Sequence, residues 1–418
     1  MTETILIGLA SGLAAVAFQK AIHWLIDGVL FPTMATKSLP SAMGVFAMMT
    51  GGALLSGFLM VRFCPEAAGS GIPQVKRALA RGETEYSWKV AWVKFVGGVA
   101  AIGTGSSMGR EGPTVHICSV IASKISQAFG ESPGRRVAAV CAGAAAGLAA
   151  AFNSPLAGVT FVMEEIAGGR QPRHYVARTL IAAATAVVVV FILVGDFPAL
   201  PLGHGIPMSW TVIGLTPVVA VVGGLSGLLF QIGTLRLRGA FRMSFIPPVA
   251  RPAAGAFLGC IVAYGAFLLT GRMGIFGLGE EDLLATLNLQ IPLTAAVLLL
   301  VAKLVTTVLC YSSGGCGGIF APILVFGAMC GTVVGGIAGH VLELTPGDQT
   351  LLSIIGMTAA LSAVVRAPLT SILIVMEMTR QIHVLPALMV AAVLCVTMSR
   401  MAFRYGIYDA LLAQDGKH

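Results

Sequence analysis

The residues most able to do chemistry form a charged pentad, Gly109-Arg110-Glu111-Gly112-Pro113, inside an otherwise apolar chain. Small residues precede it (Gly103-Thr104-Gly105-Ser106-Ser107-Met108), and a helix-like run from Thr114 to Ile121 follows. Glycines on both sides of Arg110 and Glu111, then a proline where a first helical turn tolerates one, predict a helix start brought close to other backbone. Such a start presents unpaired N–H groups and the positive end of the macrodipole, so an anion is expected there. Glu111 is itself an anion. Its carboxylate is expected to fill the site when no other anion does, and to leave when protonated. Two further starts share this design: Gly69-Ser70-Gly71-Ile72-Pro73 and Gly317-Gly318-Ile319-Phe320-Ala321-Pro322. Together the three could surround a dehydrated anion with backbone N–H groups, with the Ser70 hydroxyl as a directed donor. Neutral dipoles suit conduction better than Lys or Arg, because a site that binds too tightly cannot release.

The elements that must position these starts are membrane helices. Of 418 residues, 56% are hydrophobic and 11% charged, and the mean hydropathy is +0.90. Those values exclude an ordinary soluble domain and predict an all-α polytopic membrane protein. Segments of near bilayer-spanning length run from Ile5 to Ile26, Ala42 to Val61, Tyr175 to Val194, Trp210 to Phe230, Pro252 to Leu269, Pro292 to Leu309 and Val384 to Met398. The first has no cleavage site after a short apolar core and is read as a mature helix. The 52 glycines fit close helix contacts and interrupted helices. A net charge of +8 raises nucleic-acid binding, but the basic residues collect in short loops. Lys76, Arg77, Arg81 and Lys89 form one group, Arg170, Arg173 and Arg178 a second, and Arg236, Arg238, Arg242 and Arg251 a third. The positive-inside rule places all three in the cytoplasm, with Arg135 and Arg136 an expected exception on the opposite side. The eight cysteines are scattered singly and read as small core residues, without a disulfide framework or metal site. No cofactor is expected.

The chain also repeats itself. Gly143 to Glu165 aligns without a gap on Gly356 to Met378, sharing Pro-Leu and Val-Met-Glu; Lys94 to Pro113 aligns on Lys303 to Pro322, sharing the lysine, Gly105/Gly314, Gly109/Gly318 and the final proline. One transmembrane transport domain over 1–418 is therefore expected, built of two repeats of about 1–205 and 206–405, with a ligand site near the midplane where interrupted helices meet. Glu111 falls opposite Phe320 in this alignment.

Acids within an apolar run are costly and usually functional, which singles out Glu164-Glu165. The alternative is a solvated cap near Arg170 and Arg173. Glu164 has a repeat partner in Glu377 and is read as structural. Glu165 aligns with Met378, and the unmatched acid is the better functional candidate. Lys94, matched by Lys303, either adds positive potential to the pathway or serves a buried structural role, and His116 is read as packing. An intramembrane serine hydrolase is a rival from another class, because Gly105-Ser106-Ser107-Met108-Gly109 satisfies G-x-S-x-G. No placement of His116, His204 or His340 as a base follows from sequence, so a non-enzyme is expected.

Taken as a set, GSGIP at 69–73, GREGP at 109–113 and GGIFAP at 317–322, in that order, resemble the signature segments of the CLC family of chloride channels and chloride/proton exchangers. The resemblance extends to FNSPLAG at 152–158 and to Tyr408. It implies an inverted repeat of tilted, partly broken helices and a homodimer with one pathway per subunit. It further implies a central anion held by the Ser70 and Tyr408 hydroxyls and by backbone N–H groups of Ile319 and Phe320, with Gly71 beside them. Glu111 becomes the outer gate, competing with chloride and accepting a proton. The family's exchangers carry an inner proton-transfer glutamate where this chain has Glu165, whereas its channels replace it, so a chloride/proton antiporter is expected and a passive chloride channel is the alternative. Ser70 with Tyr408 implies chloride, with bromide and nitrate also permeant. Gln74 and Lys76 depart from relatives in which acids are common there, and Cys316 is a third departure. The short termini point to a bacterial inner membrane, and the end at His418, a few residues beyond Tyr408, leaves no room for the cytoplasmic nucleotide-sensing domains that some relatives append.

Overall fold

The computed structural model describes residues 1–167, 173–195, 199–202 and 205–416. Among them every regular element is helical, apart from one isolated antiparallel bridge. Among the described residues ten helical stretches are long and apolar enough to cross a membrane. They include the seven segments expected from hydropathy and three more: Pro133–Phe152, Phe320–Ala338 and Pro346–Val365. Between 78% and 94% of each of these three is buried inside the protein. They are inner helices shielded from lipid, and alanine and glycine make their surfaces smooth enough for close packing. The Gly143 face illustrates this: a Cβ there would lie 2.4 Å from the Cys118 carbonyl oxygen.

Helices follow one another in two series of matching kind. Glu111–Ala128 corresponds to Phe320–Ala338, Pro133–Phe152 to Pro346–Val365, and Pro155–Phe161 with its following π-helical turn, Val162–Ile166, to Pro368–Thr379. Matched positions share backbone conformation. Gly105 and Gly314 both have positive φ, as do Asn153 and Arg366 at the ends of corresponding helices. The bridge joins Gly109 to Gly318, the paired glycines of two site motifs, with N–H to O distances of 2.8 and 2.6 Å.

A second antiparallel contact comes from the acids. Glu164, at the end of its helix, accepts from the N–H groups of Leu369 (3.0 Å) and Thr370 (2.8 Å) at the start of Pro368–Thr379. Glu377, at the end of that helix, accepts from Leu156 (3.1 Å) and Ala157 (2.9 Å) at the start of Pro155–Phe161. Two helices lying head to tail thus cap each other with carboxylates, where the macrodipole favours a negative charge. This is the structural role read for Glu164.

The basic loops meet on one face. Arg178 pairs with Glu3 and donates to the Arg135 carbonyl (3.4 Å), Arg136 pairs with Glu85 (2.5 Å), Lys76 pairs with Asp409, and Arg238 and Arg242 share Asp415. Arg135 and Arg136 therefore lie on the same face as the other groups, which corrects the expectation of an exception. The Glu111 helix starts mid-membrane, so it returns to the basic face without having crossed, and counting spans misplaces the loop after it. Arg170, the Arg173 side chain and His204 lie outside the described residues. The eight cysteines are all buried and free.

Candidate functional site

The three glycine-led motifs do start helices: Ile72–Arg81 after Gly71, Glu111–Ala128 after Arg110, and Phe320–Ala338 after Ile319. Side chains of Ser38, Ser87, Ser209 and Thr345 cap other helices, but none caps these three. Their first N–H groups are left for another acceptor.

The starts converge tightly. A Cβ on Gly112 would lie 2.8 Å from Ser70 Cβ and 3.3 Å from Gly318 Cα, so the Ser70 loop, the Glu111 helix and the Phe320 motif touch at one point. Gly71, with φ of 92°, packs directly on His116, whose ring also meets the Tyr86 edge with centroids 6.1 Å apart. His116 is thus a packing residue. A Cβ on Gly109 would fall 2.1 Å from Glu111 Oε2 and 3.3 Å from the Ala321 nitrogen. The Glu111 carboxylate therefore curls back over the Gly109–Gly318 bridge toward the first turn of the Phe320 helix. From the last helix, Ile407–Gln414, Tyr408 stacks its ring on Phe320 with centroids 6.5 Å apart. Phe152 and Phe161 pack on other sides of Phe320. Ser70, Glu111, Ile319, Phe320 and Tyr408 are all buried. Glu111 Oε2 and the Tyr408 hydroxyl have no hydrogen-bond partner among the described residues. Buried polar atoms are rarely left so, and two of them beside uncapped helix starts mark a place for an exchangeable polar species.

Glu165 is not in this cluster. It sits in the π-helical turn with its carboxylate 2.7 Å from Lys76 Nζ. Neighbouring side chains of a helical turn point in different directions, and Glu164 meets its helix start while Glu165 meets the ammonium.

Two cavities approach the cluster and share no lining residue. One of about 200 Å³ is lined by Arg110, Glu111, Glu280 and Ala321; the other, about 370 Å³, by Ser70, Gln74, Arg77, Tyr311 and Asp415. The second opens among the basic groups. The first reaches Val194, past the far end of a helix that begins at the basic face, so the two lie on opposite sides.

Sequence reasoning missed several neighbours. Tyr311 donates to Ser70 Oγ (3.4 Å). Arg110 turns away from Glu111, pairing with Glu280 (3.0 Å) and donating to the Ala151 carbonyl (3.2 Å). Lys94, fully buried, donates to the Ala67 (2.8 Å) and Gly69 carbonyls and so braces the Ser70 loop. Lys303 does the same for the matching loop, at Gly274, Ile275 and Gly277 (3.0–3.2 Å). Both lysines thus brace loop backbone beside a glycine-led segment. Ser107, the serine of the G-x-S-x-G pattern, shares a hydrogen bond with Thr307 Oγ1 (2.9 Å).

A profile of the voltage gated chloride channel family matches residues 52–400. The chain belongs to this family. It is 33% identical to the H(+)/Cl(-) exchange transporter ClcA of Citrobacter koseri, over 98% of this chain and 87% of the relative. The corresponding protein of Salmonella agona is 32% identical over the same shares. Among solved structures it is similar to a slow cyanobacterial Cl-/H+ antiporter, with a TM-score of 0.87, 27% identity and coverage of 99% and 97%. Membership of the family accords with the multi-pass all-α architecture of tilted and broken helices. It also disposes of the hydrolase reading, since the family's members move ions across membranes.

Proposed function

We propose that this chain is a secondary active chloride/proton antiporter, as its curated relatives are named. Chloride occupies the point where the Ile72 and Phe320 helix starts converge, held by the Ser70 and Tyr408 hydroxyls and by N–H groups of Ile319 and Phe320, with Gly71 alongside. Glu111 is the outer gate and Glu165 the inner proton acceptor. One observation carries the reading. The Glu111 carboxylate lies against the Gly109–Gly318 bridge within reach of the first turn of the Phe320 helix, where an anion would be drawn.

Each helix start contributes about half a positive elementary charge, so the three together supply about one and a half, more than enough to offset one monovalent anion without a fixed cation. Chloride and the Glu111 carboxylate then compete for one pocket. A chloride bound beside Glu111 favours its neutral form, which swings out and takes a proton with it. Ion exchange follows from that competition.

The same reading makes the chain one transport domain of two repeats, about 1–205 and 206–405, working as a homodimer in a bacterial inner membrane. The test is paired chloride and proton flux from purified protein in liposomes. A chloride gradient should drive protons uphill. Anion flux with no uphill proton movement would make it a passive channel instead.

A further inference from the structure

Lys76 stands between two carboxylates. Its Nζ is 2.7 Å from Glu165 Oε1 and 2.7 Å from Asp409 Oδ1. The Lys76 and Glu165 side chains are 19% and 11% exposed, so water screens this pair little. The contact ties together three segments: the helix that Ser70 leads into, the π-helical turn, and the last helix, where Asp409 directly follows Tyr408.

The other charged and titratable groups around Glu165 are otherwise engaged. Glu164 caps the Pro368 helix. Arg366 gives its guanidinium to the Ser399, Phe403 and Arg404 carbonyls. Arg77 faces the inner cavity, and Arg135 and Arg136, at the far end of the Pro133 helix, pair with Glu131 and Glu85. Tyr408 presents a neutral phenol on the anion side. Lys76 is thus the cation in ion-pair contact with Glu165 among the described residues.

We infer that Lys76 is the positioning residue of the inner proton site, keeping the Glu165 carboxylate in place and favouring its ionised form and, through Asp409, linking its proton occupancy to the helix that carries Tyr408. The inference rests on Glu165 being the inner proton acceptor. When Glu165 takes up a proton, the Lys76–Glu165 attraction falls to an ordinary hydrogen bond while Lys76–Asp409 persists. The ammonium is then free to lean toward the last helix. Removing the Lys76 charge makes protonation of Glu165 easier, and removing the Asp409 charge makes it harder, because one stabilises and the other repels the carboxylate.

The experiment is chloride-driven proton flux in liposomes as a function of internal pH. Lys76→Met should move the half-maximal point to higher pH by about one unit or more, the scale expected for an opposite charge at contact distance. Asp409→Asn should move it the other way, and Lys76→Arg should restore the wild-type profile. A Lys76→Met protein that fails to fold leaves the decision to Asp409→Asn, whose shift has the opposite sign. Profiles unmoved in both variants overturn the role of Lys76. Glu165→Gln separates the two claims: if it still pumps protons, the reading of Glu165 itself is lost, whereas lost pumping with an unmoved Lys76→Met profile removes only the inference drawn here.

Discussion

Two buried acids flank the cluster around Ser70, and their surroundings differ in kind. Glu111 sees backbone: the Gly109–Gly318 bridge and the start of the Phe320 helix, while the neighbouring Arg110 is drawn off to Glu280. Glu165 sees a full cation, Lys76. An acid held mainly by backbone dipoles, with no ion-pair contact, can be displaced by another anion, whereas one paired with an ammonium can be neutralised but not readily evicted. Hence the two substitutions should fail differently. Glu111→Ala should leave anion flux at or above the wild-type rate and abolish its coupling to protons, since nothing then contends with chloride. Glu165→Gln should cut proton flux at least tenfold and spare anions. Both are read in one liposome assay with a chloride electrode and a pH electrode. Uphill proton pumping by both variants would refute the assigned roles.

At the scale of elements, the antiparallel meeting of helix starts leaves no room for side chains, and the consequence depends on what a new methyl would strike. On Gly109 it would strike the far end of the flexible Glu111 side chain; on Gly112 it would strike Ser70 Cβ and carbonyl oxygen, both 2.8 Å away. Gly109→Ala should therefore fold and transport anions while losing much of its proton coupling. Gly112→Ala should be destabilised by about 1–3 kcal/mol, the usual cost of overpacking, seen as a lower melting temperature in detergent. The adjacent acids offer a matching contrast. Glu164→Gln removes the charge but keeps an acceptor for the helix start, and should cost about 0.3–1 kcal/mol with proton flux retained, the reverse of Glu165→Gln. Much of this was legible in the sequence, because Gly and Pro at helix starts are demanded by geometry and the Glu164/Glu377 match gave away a symmetric role. Pro133–Phe152 and Pro346–Val365, with mean hydropathies of 1.3 and 1.4, escaped because burial in protein, unlike exposure to lipid, does not require long apolar side chains, whereas Phe320–Ala338, at 2.0, is apolar enough to span and was read only as a helix start. The side of Arg135 and Arg136 could not be counted, since the Glu111 helix starts halfway across. Lys76 stood out only as a departure from relatives; its partner Asp409 lies more than three hundred residues along the chain, a pairing that only the fold creates.

At the scale of the whole molecule, each group assigned to the pathway comes from one chain. Ser70, Glu111, Phe320 and Tyr408 are brought together by the fold of a single subunit, with a cavity on either side, and Glu165 lies apart from them on Lys76 of the same subunit. If two copies associate, neither needs the other to complete a site, and the flux of a dimer should be the sum of two independent terms. A tandem fusion carrying one wild-type subunit and one Glu165→Gln subunit should then pump protons at about half the rate of the wild-type tandem, with chloride flux near that of the wild type, because the defective half still passes anions. Two outcomes would contradict independence. Proton pumping that falls to the level of the doubly substituted tandem would mean that the subunits share one proton route, and pumping that stays at the wild-type level would mean that one subunit suffices for both. The proton-to-chloride ratio distinguishes these cases without knowledge of the absolute rate, since both fluxes are measured in the same vesicles and errors in reconstitution cancel.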